Sequence, residues 1–303
     1  MAVYVVGDFL RETRLRKGYT QEEVSYGICT TASLSRIENG AQKPGRLILE
    51  KLFERLGTEN NLFNSFVSRE EMELYLEIQT LIRNVTDGDL HRIEEQIDIV
   101  EKLTQNTSEL ERQSLFWAKG ELATQKYGNN GKAMEYLMKA IQITLPDFDG
   151  KSPLRNHLLT FDEITIINSI AVRHAENTSL LTAIQLDMWL KEYMENRVVD
   201  GRIKTAKYPM ILYNLSCWFG SEHCHKEALD IANQGVDFCV KYGNLVAFPR
   251  LILNQGIASV ELGQIDNAKK YLHQAVTIFE TMKRMDTVEY ITTWCRNEYQ
   301  IEI

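Results

Sequence analysis

Thr31, Ala32, Ser33 and Arg36 carry the side chains that suit reading the edge of a base pair. Thr and Ser hydroxyls can serve either base edge, a methyl can meet thymine, and a guanidinium can grip a guanine or a phosphate. Asn39, Lys43 and Arg46 follow as groups able to hold the sugar–phosphate backbone. This chemistry needs a short helix to present it, and the stretch from Thr20 to Pro44, TQEEVSYGICTTASLSRIENGAQKP, supplies one. Thr20 can cap a first helix, with Glu23 completing the capping box, and Val24 and Ile28 share one apolar face. Thr30 sits where a second N-cap is needed, Leu34 and Ile37 form the buried stripe, and Asn39-Gly40 ends the helix. Helix, tight turn, helix is the arrangement whose second member enters a DNA major groove. The plainer alternatives are capping and solvation for Thr31 and Ser33, and a surface ion pair for Arg36.

Taken whole, the stretch resembles the Cro/phage-repressor (XRE-type) class of helix-turn-helix domain. Thr20-Gln21, the Gly27-Ile28-Cys29 turn, Ser35-Arg36-Ile37-Glu38 and the closing Asn39-Gly40 are similar to a narrower group. That group is the peptide-responsive regulators of Gram-positive bacteria, the RRNPP family, with its PlcR-like branch nearest. The resemblance implies that Gln21 and the start of its helix hold a phosphate oxygen. It implies that Arg14 and Glu38 form a structural ion pair. It further implies a transcription regulator that binds a two-fold operator as a homodimer and answers to a short signalling peptide, as in quorum sensing.

The flanks complete a small bundle. A first helix is expected from about Gly7 to Lys17 and a fourth from about Arg46 to Leu56, the latter with Leu49, Leu52, Phe53 and Leu56 on one face. Leu62, Phe63 and Phe66 suggest one more short helix. The chain then turns acidic at Glu70, Glu71 and Glu73, which sets the expected domains at 1–66 and 67–303. The net charge of -8 divides unevenly, +1 before residue 67 and -9 after it. So weakly positive a head binds DNA poorly alone, and dimerisation should supply much of the affinity.

From Arg69 onward the helical patterns come in pairs: Glu70 to Leu103, Glu109 to Thr144, Ile164 to Tyr193, Leu212 to Val240 and Leu251 to Glu280. Small residues fall where a tetratricopeptide repeat crosses its helices closely, with Ala133, Ala183, Ala228 and Ala268 in equivalent places. Their separations of 50, 45 and 40 residues mark long-looped, degenerate repeats. A polar helix from about Lys283 to Gln300 would cap the array. The expected fold is all-α, a helix-turn-helix bundle followed by a right-handed tetratricopeptide-like solenoid.

Such an array offers a face lined by the first helix of each pair. Asn168, Asn214 and Asn254 hold near-equivalent places there, and an Asn amide matches both backbone groups of an extended peptide. Met210 and Trp218 could seat apolar peptide side chains, and Arg250 could meet a carboxylate. The bland alternative is that these asparagines stabilise helix packing. Two further readings remain open, a folded protein partner on the repeats or a mobile-element repressor that uses them only to oligomerise.

Composition narrows the rest. An apolar fraction of 44% with 25% charged residues is ordinary for a globular protein. No apolar run is long enough to span a bilayer, and the start lacks the order of a secretion signal, so a cytoplasmic protein without membrane contact is expected. Five cysteines, Cys29, Cys217, Cys224, Cys239 and Cys295, are odd in number and without a CxxC pair, and read as buried thiols in a reducing compartment. His223-Cys224-His225 lacks a second cluster to complete a metal site. No acid–base carboxylate pair, phosphate-cradling loop or nucleophile elbow appears, so neither an enzyme nor a cofactor is expected.

Overall fold

The computed structural model describes residues 6–58, 69–105, 107, 109–177, 179–197 and 199–303, and they contain helices and connections with no strand. The head comprises α1 (Val6–Arg16), α2 (Gln21–Ser25), α3 (Thr31–Glu38) and α4 (Arg46–Arg55). Its local logic is that of its caps. The Thr20 hydroxyl accepts the Glu23 N–H while Glu23 accepts the Thr20 N–H, and the Thr30 hydroxyl accepts the Ser33 N–H. Leu10, Val24, Ile28, Leu34, Ile37, Leu52, Phe53 and Leu56 form one buried cluster. Leu158, from a connection more than a hundred residues later in the chain, completes it. The segment holding Leu62, Phe63 and Phe66, and with it the expected boundary, lies outside the described residues.

The repeats follow as α5 (Arg69–Asp87), α6 (Leu90–Leu103), a single 3-10 turn at Glu109–Arg112, α7 (Gln113–Gln125), α8 (Asn130–Gln142), α9 (Phe161–Asn177) and α10 (Leu180–Asn196). Then come α11 (Gly201–Ser221), α12 (His225–Tyr242), α13 (Phe248–Glu261), α14 (Ile265–Thr281) and α15 (Met285–Tyr299). The chain divides into two compact units, Met1–Trp189 with Asn196–Asp200, and Leu190–Glu195 with Gly201–Ile303. Ala133, Ala183, Ala228 and Ala268 are all buried, as close helix crossing requires. Gly256 shows why: a Cβ there would stand 2.6 Å from Leu272 Cδ2.

Two elements depart from the pattern of the sequence. Periodicity starts the first helix of the fourth pair at Leu212, yet α11 begins at Gly201 and runs through Pro209. Proline has no N–H, so the carbonyl four residues earlier loses its helical donor. Asn244 replaces that donor, its Nδ2 donating to Thr205 O at 2.9 Å, while its Oδ1 accepts the N–H groups of Val246 and Ala247. The last helix, polar by its sequence, has an apolar face: Val288, Ile291 and Cys295 bury against Leu272, Val276 and Phe279, with Ile301 closing the cluster.

Candidate nucleic-acid interface and peptide-binding face

Glu38 organises the head from its interior. Its side chain is 1% exposed and receives Arg14 Nε on Oε1 at 2.6 Å and Arg14 Nη2 on Oε2 at 2.8 Å. Arg14 Nη1 donates to Tyr19 O at 2.9 Å, so one guanidinium ties the end of α3 to the turn between α1 and α2. A fork-to-fork pair of this kind is strong and directional, and it fixes the angle at which α3 leaves the bundle. Gln21 joins the same carboxylate, its Nε2 donating to Glu38 Oε2 at 2.7 Å. The phosphate role expected of the Gln21 side chain therefore competes with a structural one; one amide N–H is already engaged.

With α3 fixed, Thr31, Ala32 and Arg36 stand exposed, Ser33 is half-buried, and Asn39 and Lys43 lie just beyond. Ser33 takes the Thr30 hydroxyl at 2.9 Å and lies 3.4 Å from Arg36 Nη2, while the Thr31 hydroxyl lies 3.5 Å from that of Ser25. Arg36 forms no ion pair with a carboxylate among the described residues. Arg11, which no sequence motif marks, places Nη1 3.5 Å from Asn39 Oδ1 and adds a cation beside the same surface. Its place depends on how α1 crosses α3, which the linear pattern does not state.

The head is seated on the rest of its unit through charge. Lys51, 1% exposed, donates to Gln113 Oε1 and Asp162 Oδ2, each at 2.7 Å. Arg55 Nη2 meets Glu163 Oε1 at 2.7 Å with both side chains fully buried, and Arg55 Nη1 donates to Tyr26 O. Tyr26 donates to Asp147 and packs edge-on against His157 at 4.6 Å. Gly27, at φ +66°, brings the helix-turn-helix corner so close to Thr144 that a Cβ would lie 1.9 Å from Thr144 O.

The expected peptide-binding asparagines divide between the two units. Asn168 is in the first, and its Nδ2 donates to both oxygens of the fully buried Asp187, at 3.2 and 3.0 Å. This contact turns the Asn168 N–H groups, expected on the peptide face, toward a buried carboxylate on the paired helix. In the second unit Asn254 is 9% exposed, and its Nδ2 lies 3.2 Å from Cys217 Sγ. It lines a cavity of about 350 Å³ with Cys217, Ser221, Ile257, Glu261 and Tyr299. Burial pushes the Cys217 thiol up and the Tyr213 hydroxyl, bonded to it, up to about 12. Arg250, one turn before Asn254, places its guanidinium 5.8 Å from the centre of the Tyr213 ring. Met210, Asn214 and Trp218 are half-buried on α11. The face that assembles is thus Tyr213 and Cys217 of α11 against Arg250, Asn254 and Glu261 of α13. Tyr213 and Cys217 are not among the residues singled out by sequence, although their spacing of four from each other and of three from Met210 and Asn214 was readable.

At the edge of this cavity the His223 and His225 rings stand 5.7 Å apart, and Tyr299 donates to Glu261 at 2.9 Å. Among the described residues no three His, Cys, Asp or Glu side chains gather as metal ligands. No helix among them is long and apolar enough to cross a membrane.

The model of the Helix-turn-helix domain family matches residues 5–66. The uncharacterized HTH-type transcriptional regulator YqaF of Bacillus subtilis (strain 168) is 38% identical over 63 residues, which is 20% of this chain and 83% of that protein. Among solved structures, PlcR of Bacillus thuringiensis in complex with the peptide PapR7 and DNA superposes with a TM-score of 0.61 at 19% identity, over 95% of this chain and 98% of that one. A putative transcriptional regulator from Listeria monocytogenes EGD-e gives a TM-score of 0.51 at 14% identity, over 97% and 96%. These two share the fold along nearly the whole chain, helix-turn-helix bundle and helical repeats together. By its sequence relationship to YqaF and the domain match over its head, the chain belongs to the HTH-type transcriptional regulators, which are DNA-binding proteins and not enzymes.

Proposed function

We propose that this protein is a peptide-responsive regulator of the RRNPP kind, cytoplasmic and homodimeric, reading a two-fold operator with α3 of each copy. The observation that carries the DNA half is the exposure of Thr31, Ala32 and Arg36 on a helix whose base is locked by Arg14 and Glu38. The peptide half rests on the cavity beside Asn254, where a thiol from α11 faces an amide and a carboxylate from α13. Asn214 and Asn254 would engage the peptide backbone, Arg250 its carboxylate, and Met210 and Trp218 its apolar side chains. PlcR, whose fold the chain shares, was solved with a peptide and DNA bound at once, which supports the same pairing of ligands here. Peptide binding need favour one arrangement of the dimer over another by only ~1–3 kcal/mol to switch operator occupancy.

Calorimetry of the purified protein against synthetic peptides encoded by small neighbouring genes tests this reading. Binding of one such peptide that changes operator affinity is the expected result. Failure of all of them, together with capture of a folded protein by the repeats, would replace the peptide with a protein partner.

A further inference from the structure

A second cavity, of about 180 Å³, lies within the first unit between α4 of the head and α5, α7 and α9. Leu74, Ile78, Ile82 and Phe161 give it apolar walls. An apolar cavity of about 150 Å³ accepts a benzene molecule, so this one has room for a ring or a short alkyl chain with one polar group.

The polar side of the cavity decides which group. Glu50, Glu54, Glu111 and Asp162 bring four carboxyls against two cations, Arg46 and Lys51. Both cations are committed. Lys51 is held between Gln113 and Asp162, and the Arg46 guanidinium lies on the Tyr75 ring, 3.9 Å from its centre. Glu54 is less committed. One of its oxygens accepts the Phe161 N–H at 3.0 Å; the other takes no hydrogen bond among the described residues. Burial, reinforced by the charge of Asp162, pushes the Glu54 carboxyl up to about 8, with Lys51 pulling the other way and Glu50 adding to the rise. Lys51, the cation that opposes this rise, is shared with Asp162 and Gln113.

We propose that this cavity binds a small apolar amine, its protonated nitrogen set against Glu54 and its hydrocarbon body against Leu74, Ile78, Ile82 and Phe161. The incoming ammonium adds a positive charge beside that of Lys51 and pairs with ionised Glu54, so a proton held by Glu54 passes to solvent as the cation enters. The site is separate from the peptide face and does not depend on it. Its walls come from both the head and the repeats, so an occupant would strengthen the seating of α4.

Calorimetric titration of the full chain with hexylamine and benzylamine, in two buffers of different ionisation heat, is the test. Hexanol and hexanoate serve as matched probes. The expected result at pH 7 is amine binding with release of close to one proton, affinity that rises from pH 6 to pH 8, hexanol at least about tenfold weaker, and no hexanoate binding. Glu54→Gln keeps an acceptor for the Phe161 N–H; it should abolish the proton release and weaken the amines about tenfold or more. Ile78→Trp, which fills the cavity, should abolish binding of every probe. The wild-type titrations decide the matter even if a variant fails to fold. Hexanoate binding better than hexylamine, hexylamine no better than hexanol, amine binding without proton release, or no binding by any probe would each overturn the proposal.

Discussion

Arg55, at the end of α4, and Glu163, in the first turn of α9, lie 108 residues apart in the chain and meet at 2.7 Å with neither side chain reaching solvent. Glu163 Oε2 also accepts the Thr160 N–H at 2.6 Å. One carboxylate therefore starts a repeat helix and holds the reading head. Removing one partner of a buried pair strands the other charge, which costs far more than the pair contributes. Glu163→Gln, which keeps an acceptor for Thr160, should destabilise the first unit by roughly 3–5 kcal/mol, read as a lower denaturant midpoint. A change below about 1 kcal/mol would mean that water reaches Arg55 in solution.

Arg36→Ala should weaken binding to the specific operator by about 1–3 kcal/mol while leaving the melting temperature in place. Titrations at several salt concentrations show whether its guanidinium meets a base or a phosphate. If it reads a base edge, the variant keeps the wild-type salt slope and relaxes sequence preference. If it neutralises a phosphate, the slope falls by about one. Operator binding at wild-type strength would remove Arg36 from the reading surface.

Asn168 and Asn254 should behave oppositely. Asn168→Ala withdraws the amide that answers the buried Asp187, so it should lower stability and leave the peptide affinity of the folded fraction intact. Asn254→Ala, and more so its combination with Asn214→Ala, should remove the peptide response and keep basal operator binding. Paired denaturation and peptide titration of the two single variants would settle the assignment; a peptide defect confined to Asn168→Ala would reverse it.

Asn244→Ala should leave Thr205 O without a donor at the Pro209 break and cost roughly 1–3 kcal/mol in the second unit. Pro209→Ala returns a backbone N–H to that carbonyl, so Asn244→Ala should cost less in the Pro209→Ala background. A double-mutant cycle by chemical denaturation measures the coupling. Additive effects would show that Asn244 acts only through its loop.

Glu54 makes a pH prediction of definite sign. Burial in the folded chain pushes its carboxyl up from its ordinary value to about 8. Between those values the native state holds a proton that the unfolded state has released, so this group's contribution to stability falls as pH rises and levels off above about 8. Lys51, Asp162 and Glu50 surround it. Urea denaturation from pH 5 to pH 8.5 should show a downward slope that Glu54→Gln flattens; an unchanged slope in the variant would place the titration elsewhere.

The helix-turn-helix was legible because its determinants are local. Thr20 with Glu23, and Thr30 with Ser33, cap helices within three residues, and Leu34 and Ile37 need only the helical period to share a face. The repeats were legible for a related reason: Ala133, Ala183, Ala228 and Ala268 mark crossings at which little but a small side chain fits. Local pattern failed where a distant group altered the rule. The helix runs through Pro209, and the donor that replaces the lost N–H comes from Asn244, 35 positions on.

An all-helical chain, a capped DNA-reading corner and a series of paired helices were written in the order of residues, since caps, spacing and small side chains act over a few positions. Which polar side chains remain available was settled by packing. It committed Lys51 and Arg55 to the interior, turned Asn168 to Asp187, set Asn254 against Cys217 and left Glu54 facing a cavity. Each of those outcomes depends on the register between helices remote in sequence. A helix states its own periodicity, but the partner that meets each face is fixed only when the helices pack.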